Sequence, residues 1–447
     1  MEKTFRYIVF LILCFPILSF SQTFNLKEGK KYQKLNFQLV NNLIIIPVEV
    51  NGSMLSFILD SGVSTPILFN ISDQDSIQIN NVHEVTIRGL GEGDSMKALS
   101  SRGNFFKIEN IESLNQDLYV VMDKSLNFSP SLGVPIHGII GYDLFRDFII
   151  DVNYSKRVMK LYRPKTYVHK KSKRYRAVPL TILKKKAYVK GTVSMSKVEN
   201  IQVNLLVDTG SSDALWLFEN EEKGIAIPDK NYEDFLGKGL SGNIYGKRTK
   251  VNNLSLGGFF LKDAKAAFPD KESYANLKSL INRNGSIGGE VLKRFNIVFD
   301  YAHNKITLKR NKNFNTPFRY NMSGIDLQHS GVRYMAEQIT EANRVVSVGN
   351  REENHFGNVQ ILFENTTRLS LVPEIIVSGI RAGSPSDLAG LREGDLILAV
   401  NGKRVYKYKL QEILTLLNEK EGKKIRVLIE RSESDLLFSY VLKKVFK

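Results

Sequence analysis

Two apolar runs ending in an acidic triplet recur 148 positions apart, and this duplication constrains the fold more than any other feature of the chain. The first reads Ser56-Phe57-Ile58-Leu59-Asp60-Ser61-Gly62 and the second Asn204-Leu205-Leu206-Val207-Asp208-Thr209-Gly210. About thirty residues beyond each Asp comes a glycine-rich turn between strand-like stretches, Gly89-Leu90-Gly91-Glu92-Gly93 in one copy and Gly237-Lys238-Gly239-Leu240-Ser241-Gly242 in the other. A third matched element closes each copy, Gly138-Ile139-Ile140-Gly141 and Gly285-Ser286-Ile287-Gly288, the last glycine lying 81 and 80 residues from its Asp. A short helix-like stretch follows each, then two strands joined by a turn, 148–151 with 158–161 and 296–299 with 306–308. Short strands at regular spacing predict a mainly β architecture of two β-barrel lobes, 36–163 and 177–311, joined by a basic linker at 164–176 and related by a pseudo-twofold axis. The clustered Gly89, Gly91 and Gly93 lack the βαβ surroundings of a phosphate loop and read as a hairpin tip.

A lone Asp at a strand end is ordinarily a turn residue that caps the backbone after it. Two copies at equivalent points of a duplicated unit change that reading, because pseudo-twofold packing would bring Asp60 and Asp208 together at the axis. Carboxylates that close cannot both ionise cheaply, so the pair holds one proton over an extended pH range. The ionised member can then take a proton from a water between them while the protonated member polarises a substrate carbonyl, with no metal or other cofactor and no covalent intermediate. Hydroxyls of Ser61 and Thr209 would hydrogen-bond across the lobe interface, and Gly62 and Gly210 would let the backbone approach closely.

These triplets, with Ile139-Ile140-Gly141 and Ser286-Ile287-Gly288, resemble the retropepsin-like aspartic peptidases, and the resemblance covers about 36–311. It implies an endopeptidase with a polypeptide substrate and a fused pair of lobes. The hairpins carrying Gly89, Gly91 and Gly93, and Gly239 and Gly242, would be flaps over the peptide. Two positions depart from the family pattern: Val63 follows the first triplet where a small residue is usual, and Ser286 replaces an apolar residue. They leave open a catalytically inactive, peptide-binding envelope protein, and a third case in which one lobe pairs with the same lobe of another chain.

From 318 to 447 the pattern changes, and the segment 375–402, with Gly379, Gly383, Ser384-Pro385, Gly390, Gly394-Asp395 and Asn401-Gly402, resembles a bacterial PDZ domain. The residues agree: a strand, a short helix from Ser386, a turn, a strand and a hairpin turn, then helical spacing at Leu410, Ile413, Leu414 and Leu417 and a strand over 425–429. PDZ domains bind peptide ends beside an exposed strand edge. A peptide C-terminus is the ligand that resemblance implies, with Ser323, Gly324 and Ile325 as the candidate carboxylate loop; the alternative role is a module bracing the second lobe. Residues 343–367 read as an insertion.

At the other end, Lys3 and Arg6 precede an apolar run over 7–18 and small residues at Ser19 and Ser21, the pattern of a signal peptide ending before Gln22, with a leader over 22–35. The run is shorter than the roughly 20 residues a spanning helix needs, so no stable membrane span is expected after its removal. The expected location is the periplasm, cell envelope or exterior of a bacterium. Cys14, the only cysteine, would leave with the signal, which excludes disulfides and thiolate metal sites in the mature chain. The formal charge of +17 is spread widely, and its local clusters at 169–176 and 184–186 read as solvated linker and strand-edge charge. With no nucleic-acid motif, no such partner is expected, and the fused lobes are expected to act as a monomer.

Overall fold

The computed structural model describes residues 22–71, 77–195, 198–275, 282–348 and 358–446; the expected signal peptide lies outside them. The chain divides into two units, one ending at Phe128 and resuming over Pro135–Arg319, the other formed by Ser129–Val134 with Tyr320–Lys447.

The first unit contains both copies of the repeat, each with the same central threading. In the first lobe, Ser53–Leu59 runs parallel to Gly138–Ile140, which pairs antiparallel with Ile67–Leu68. In the second, Ile201–Val207 runs parallel to Gly285–Ile287, which pairs antiparallel with Leu215–Leu217. Strands covered on both faces need continuous apolar sequence, which explains why Phe57-Ile58-Leu59 and Leu205-Leu206-Val207 do not alternate and are buried throughout. Each acidic triplet therefore leaves the middle of its lobe from the end of a rigid, buried strand.

The lobes share one sheet. Ile149–Asn153 pairs antiparallel with Phe295–Asp300, matching Ile150 with Phe299 and Val152 with Ile297. Val158–Tyr162 and Tyr32–Asn36 extend it on the first-lobe side, Lys305–Arg310 and Arg176–Leu183 on the second. The stretch expected as a leader is thus structural: Tyr32–Asn36 is a strand of this sheet, and Asn25–Leu26 pairs with Ile111 and Glu112. Its sparse apolar residues are the reason, since Phe24, Leu26 and Leu35 are all buried in the core that runs through both lobes. The basic linker is also fastened: Tyr167 meets Tyr162 edge-on at 5.0 Å, and Lys170 Nζ lies 2.8 Å from Asp151.

In the second unit, Ile325–Val348 and Asn358–Ile380 form one long antiparallel pair of strands, matched from Ile325 with Ile380 out to Val348 with Asn358. The expected insertion contributes the distal part of this pair through 343–348 and 358–367, rich in β-branched residues such as Val345, Val346, Val359 and Ile361, while its residues 349–357 lie outside the described residues. The helix Pro385–Leu388 follows, its amide of Asp387 donating to the N-cap Ser384 hydroxyl, then Leu396–Val400, the helix Leu410–Leu417 and the paired strands Lys424–Arg431 and Ser434–Val441. Ile325, Ile375, Val377, Ile413, Leu417 and Val427 close a core of its own. Among the described residues, no helix is long and apolar enough to cross a membrane.

Candidate active site

The two strand ends meet. Asp60 and Asp208 lie side by side, a Cβ on Gly62 falling 3.1 Å from one carboxylate and 3.4 Å from the other, and each carboxylate accepts from the amide two residues on, Gly62 N at 2.6 Å and Gly210 N at 3.1 Å. Ser61 and Thr209 cross beneath them, both fully buried. The Ser61 hydroxyl donates to the carbonyl of Val207 at 2.6 Å and accepts from Thr209 N at 3.1 Å. Thr209 reciprocates, donating to the Leu59 carbonyl at 2.7 Å and accepting from Ser61 N at 2.9 Å. Four buried bonds related by the pseudo-twofold thus lock the loops together, each hydroxyl serving as donor and acceptor at once.

Glycines behind the loops make this approach feasible. A Cβ on Gly141 would lie 1.9 Å from the Asp60 carbonyl, and one on Gly288 would lie 2.4 Å from the Asp213 carbonyl. Val63 and Ser211, the residues after the triplets, hold equivalent places: the Val63 carbonyl accepts from Tyr142 N at 3.1 Å and that of Ser211 from Gly289 N at 2.7 Å.

Burial first, and the adjacent Asp208 charge second, push the Asp60 carboxyl up to about 7. Asp208 is also raised by burial, against the opposing fields of Arg283 and Lys186. The pair therefore retains a proton that the unfolded chain would have released near pH 4. Between about pH 4 and pH 7 the folded state binds more protons than the unfolded state, so the pair's contribution to stability falls as pH rises through that window. Asp60→Asn removes this titration. Its melting temperature should match wild type near pH 4 and exceed it increasingly toward pH 8, and a gap that is constant with pH would exclude the raised carboxyl.

Both glycine-rich tips lie over one another. Gly93 N donates to the Ser241 carbonyl at 2.7 Å, Ser241 N to the Leu90 carbonyl at 3.0 Å, and Gly89 N to the Ser241 hydroxyl at 3.0 Å. A Cβ on Gly239 would sit 2.0 Å from the Leu90 carbonyl and one on Gly91 2.5 Å from Ser241, so the contact requires glycine on both hairpins. Gly242, at φ +105, closes the second hairpin turn.

Several residues near the dyad were not singled out by the sequence. Lys186, read there as strand-edge charge, is half-buried; burial lowers its ammonium, and the fields of both carboxylates act on it. Arg283 is buried, donates through Nε to the Gly285 carbonyl at 3.0 Å, and lies over the Phe218 ring. Tyr301 is buried beside Asp60 and Ser61, its ring stacked on Phe145 at 5.2 Å, and burial raises its hydroxyl. In the second lobe Asp213 accepts from Trp216 Nε1 and Arg248 Nη1, both at 2.8 Å, while Lys265 bridges Asp213 and Glu290. These cations hold the Asp213 carboxyl well below the usual range despite its burial. The signal available was a charged residue inside an apolar run, Asp213 before Ala214-Leu215-Trp216.

The candidate carboxylate loop of the C-terminal unit is not an open cradle. Met322 N and Ser323 N donate to the Asn418 side chain at 2.7 and 3.2 Å, Gly324 N to Asn321 at 2.9 Å, and Ile325 N to the Ser323 hydroxyl at 3.3 Å. Ser323 and Ile325 are fully buried, and a Cβ on Gly324 would meet Ser384 at 2.2 Å. The amides are spent on the unit's own turn, which corrects the expectation that Ser323, Gly324 and Ile325 receive a peptide terminus. Nothing in the sequence registered that Asn321 and Asn418 would converge there.

Residues 46–144 match the model of the aspartyl protease family, and residues 376–431 match that of the PDZ domain. The first lobe is thus aspartyl-protease-like and the second unit contains a PDZ domain. Among solved structures, the aspartic proteinase from Irpex lacteus is similar over 64% of this chain and 99% of its own length, at 11% identity and a TM-score of 0.39.

Proposed function

We propose that the two-lobed unit is an aspartic endopeptidase whose catalytic residues are Asp60 and Asp208. The observation that carries this reading is the pair itself: two carboxylates side by side, each anchored on its own glycine amide above the Ser61–Thr209 cross-bonds. With one proton on the pair, the ionised carboxylate accepts a proton from a water between them. The protonated carboxyl donates to the carbonyl oxygen of the scissile peptide, and the hydroxyl so generated adds to the carbonyl carbon. Return of a proton to the leaving nitrogen completes hydrolysis without a covalent enzyme intermediate. The hairpins at Gly89–Gly93 and Gly239–Gly242 act as flaps that part to admit an extended chain and then exclude bulk water. The N-terminal run supports export, so the substrates are polypeptides met outside the cytoplasm.

The test is incubation of the mature protein with a peptide library between about pH 3 and pH 8, a span across which coupled carboxylates titrate, with products identified by mass spectrometry. Cleavage should decline on the basic side as the pair loses its shared proton. No cleavage at any pH would instead favour a peptide-binding protein with an inert pair.

Val63 is the local departure bearing most directly on this reading. A β-branched side chain after the first triplet has little rotamer freedom, yet the backbone at Val63 makes the same bond as its counterpart Ser211. Val63→Ala should therefore alter kcat/KM by less than about tenfold, or about 1.4 kcal/mol in the barrier. A silent wild type awakened by this substitution would show the site to be blocked.

A further inference from the structure

We propose that His169, Asp300 and His303 form a binding site for a divalent metal of the zinc type, where the interlobe linker crosses the end of the strand Phe295–Asp300. Asp300 is fully buried, and its two oxygens each face an imidazole: His303 Nδ1 lies 2.7 Å from Oδ1, and His169 Nε2 lies 3.3 Å from Oδ2. Oδ1 also accepts from His303 N at 3.1 Å, whereas among the described residues Oδ2 accepts no hydrogen bond. Lys305 Nζ also stands 3.7 Å from Oδ2. A fully buried carboxylate oxygen without a hydrogen bond is costly, and a cation held jointly with the imidazoles would remove that cost.

The geometry suits a small cation. One donor atom from each residue lies within 4.8 Å of the other two. Tetrahedral zinc with bonds of about 2.0–2.1 Å places its ligand atoms about 3.3 Å apart, so His169 Nε2 and Asp300 Oδ2 already stand at that spacing, while His303 Nδ1, 2.7 Å from the other oxygen, must swing to share the ion. The imidazoles have the freedom to do so, with side-chain exposures of 42% for His169 and 51% for His303, and a water can complete the coordination from the solvent side. Asp300 and His303 share one tight turn, while His169 arrives from the linker between the lobes. Metal would therefore staple that linker to the turn carrying Tyr301, the residue buried beside Asp60 and Ser61. Lys305 is the competitor, since its ammonium occupies the same oxygen and is displaced by the ion.

Zn2+ titrated by calorimetry into the tag-free mature chain at pH 7.5 should bind one per molecule and raise the melting temperature. His169→Asn and His303→Asn, checked for folding by circular dichroism, should each weaken binding by about tenfold or more, and His329→Asn should not. Lys305→Met should tighten binding by removing the competing charge. Absence of saturable one-to-one binding, affinities unchanged in both histidine variants, or weaker binding in Lys305→Met would each overturn the site and leave an ordinary buried ion-pair cluster.

Discussion

Asp60→Asn and Asp208→Asn should each lower peptide hydrolysis by about a thousandfold or more while the fold survives, because general acid and base action within one pair of carboxylates cannot be shared out to other groups. Asparagine preserves the shape and can still accept from the amides of Gly62 or Gly210, but it cannot take a proton from water. The Ser61 and Thr209 cross-bonds involve neither carboxylate, so the lobes remain locked together. Single-turnover cleavage measured beside circular dichroism distinguishes lost chemistry from lost structure. Full activity in either variant would remove the pair from the mechanism.

Gly210→Ala should be nearly as damaging, although glycine contributes no reactive group. A Cβ there would fall 2.2 Å from Asp60 Cγ and 2.3 Å from its Oδ2, so the carboxyl of the opposite lobe must move by an ångström or more. Displacements of that size cost about a hundredfold in rate when they misplace reacting atoms. Gly62→Ala provides the internal comparison: its nearest neighbours would be the Asp60 carboxylate at 3.1 Å and the Asp208 carboxylate at 3.4 Å, distances that a small adjustment relieves. The expected order is therefore severe loss at Gly210 and mild loss at Gly62, read as kcat/KM on one peptide. Equal effects at the two positions would mean that the carboxylates are not seated as the geometry requires.

The duplicated order of triplet, glycine turn and apolar-Gly element was legible because each is a local pattern. Continuous apolar residues before Asp60 and Asp208 mark strands buried on both faces, and glycines at fixed intervals mark turns and close approaches. The helix at Leu410–Leu417 was legible for the same reason, since helical spacing is a property of the sequence itself. The segment 22–35 was not, because too few apolar residues distinguish a strand at a sheet edge from a tail until its partners Val158–Tyr162 and Ile111 are placed beside it.

Charge and polar satisfaction lay furthest from the sequence. Lys186 sits in a lysine run that would be solvated on most surfaces, and only the pairing of Tyr188 with Leu206 brings that strand alongside the one ending at Asp208. The amides at Met322–Ile325 look available until Asn418, 96 positions from Met322, supplies the acceptor. His169 and Asp300, 131 positions apart, meet only because the shared sheet brings the linker across the second lobe. The sequence by itself determined which elements form and that their order is duplicated, since propensity, periodicity and turn chemistry act over a few neighbouring residues. Tertiary structure alone decided which side chains face one another, because burial and electrostatic energy depend on distances set by strands paired across more than a hundred residues.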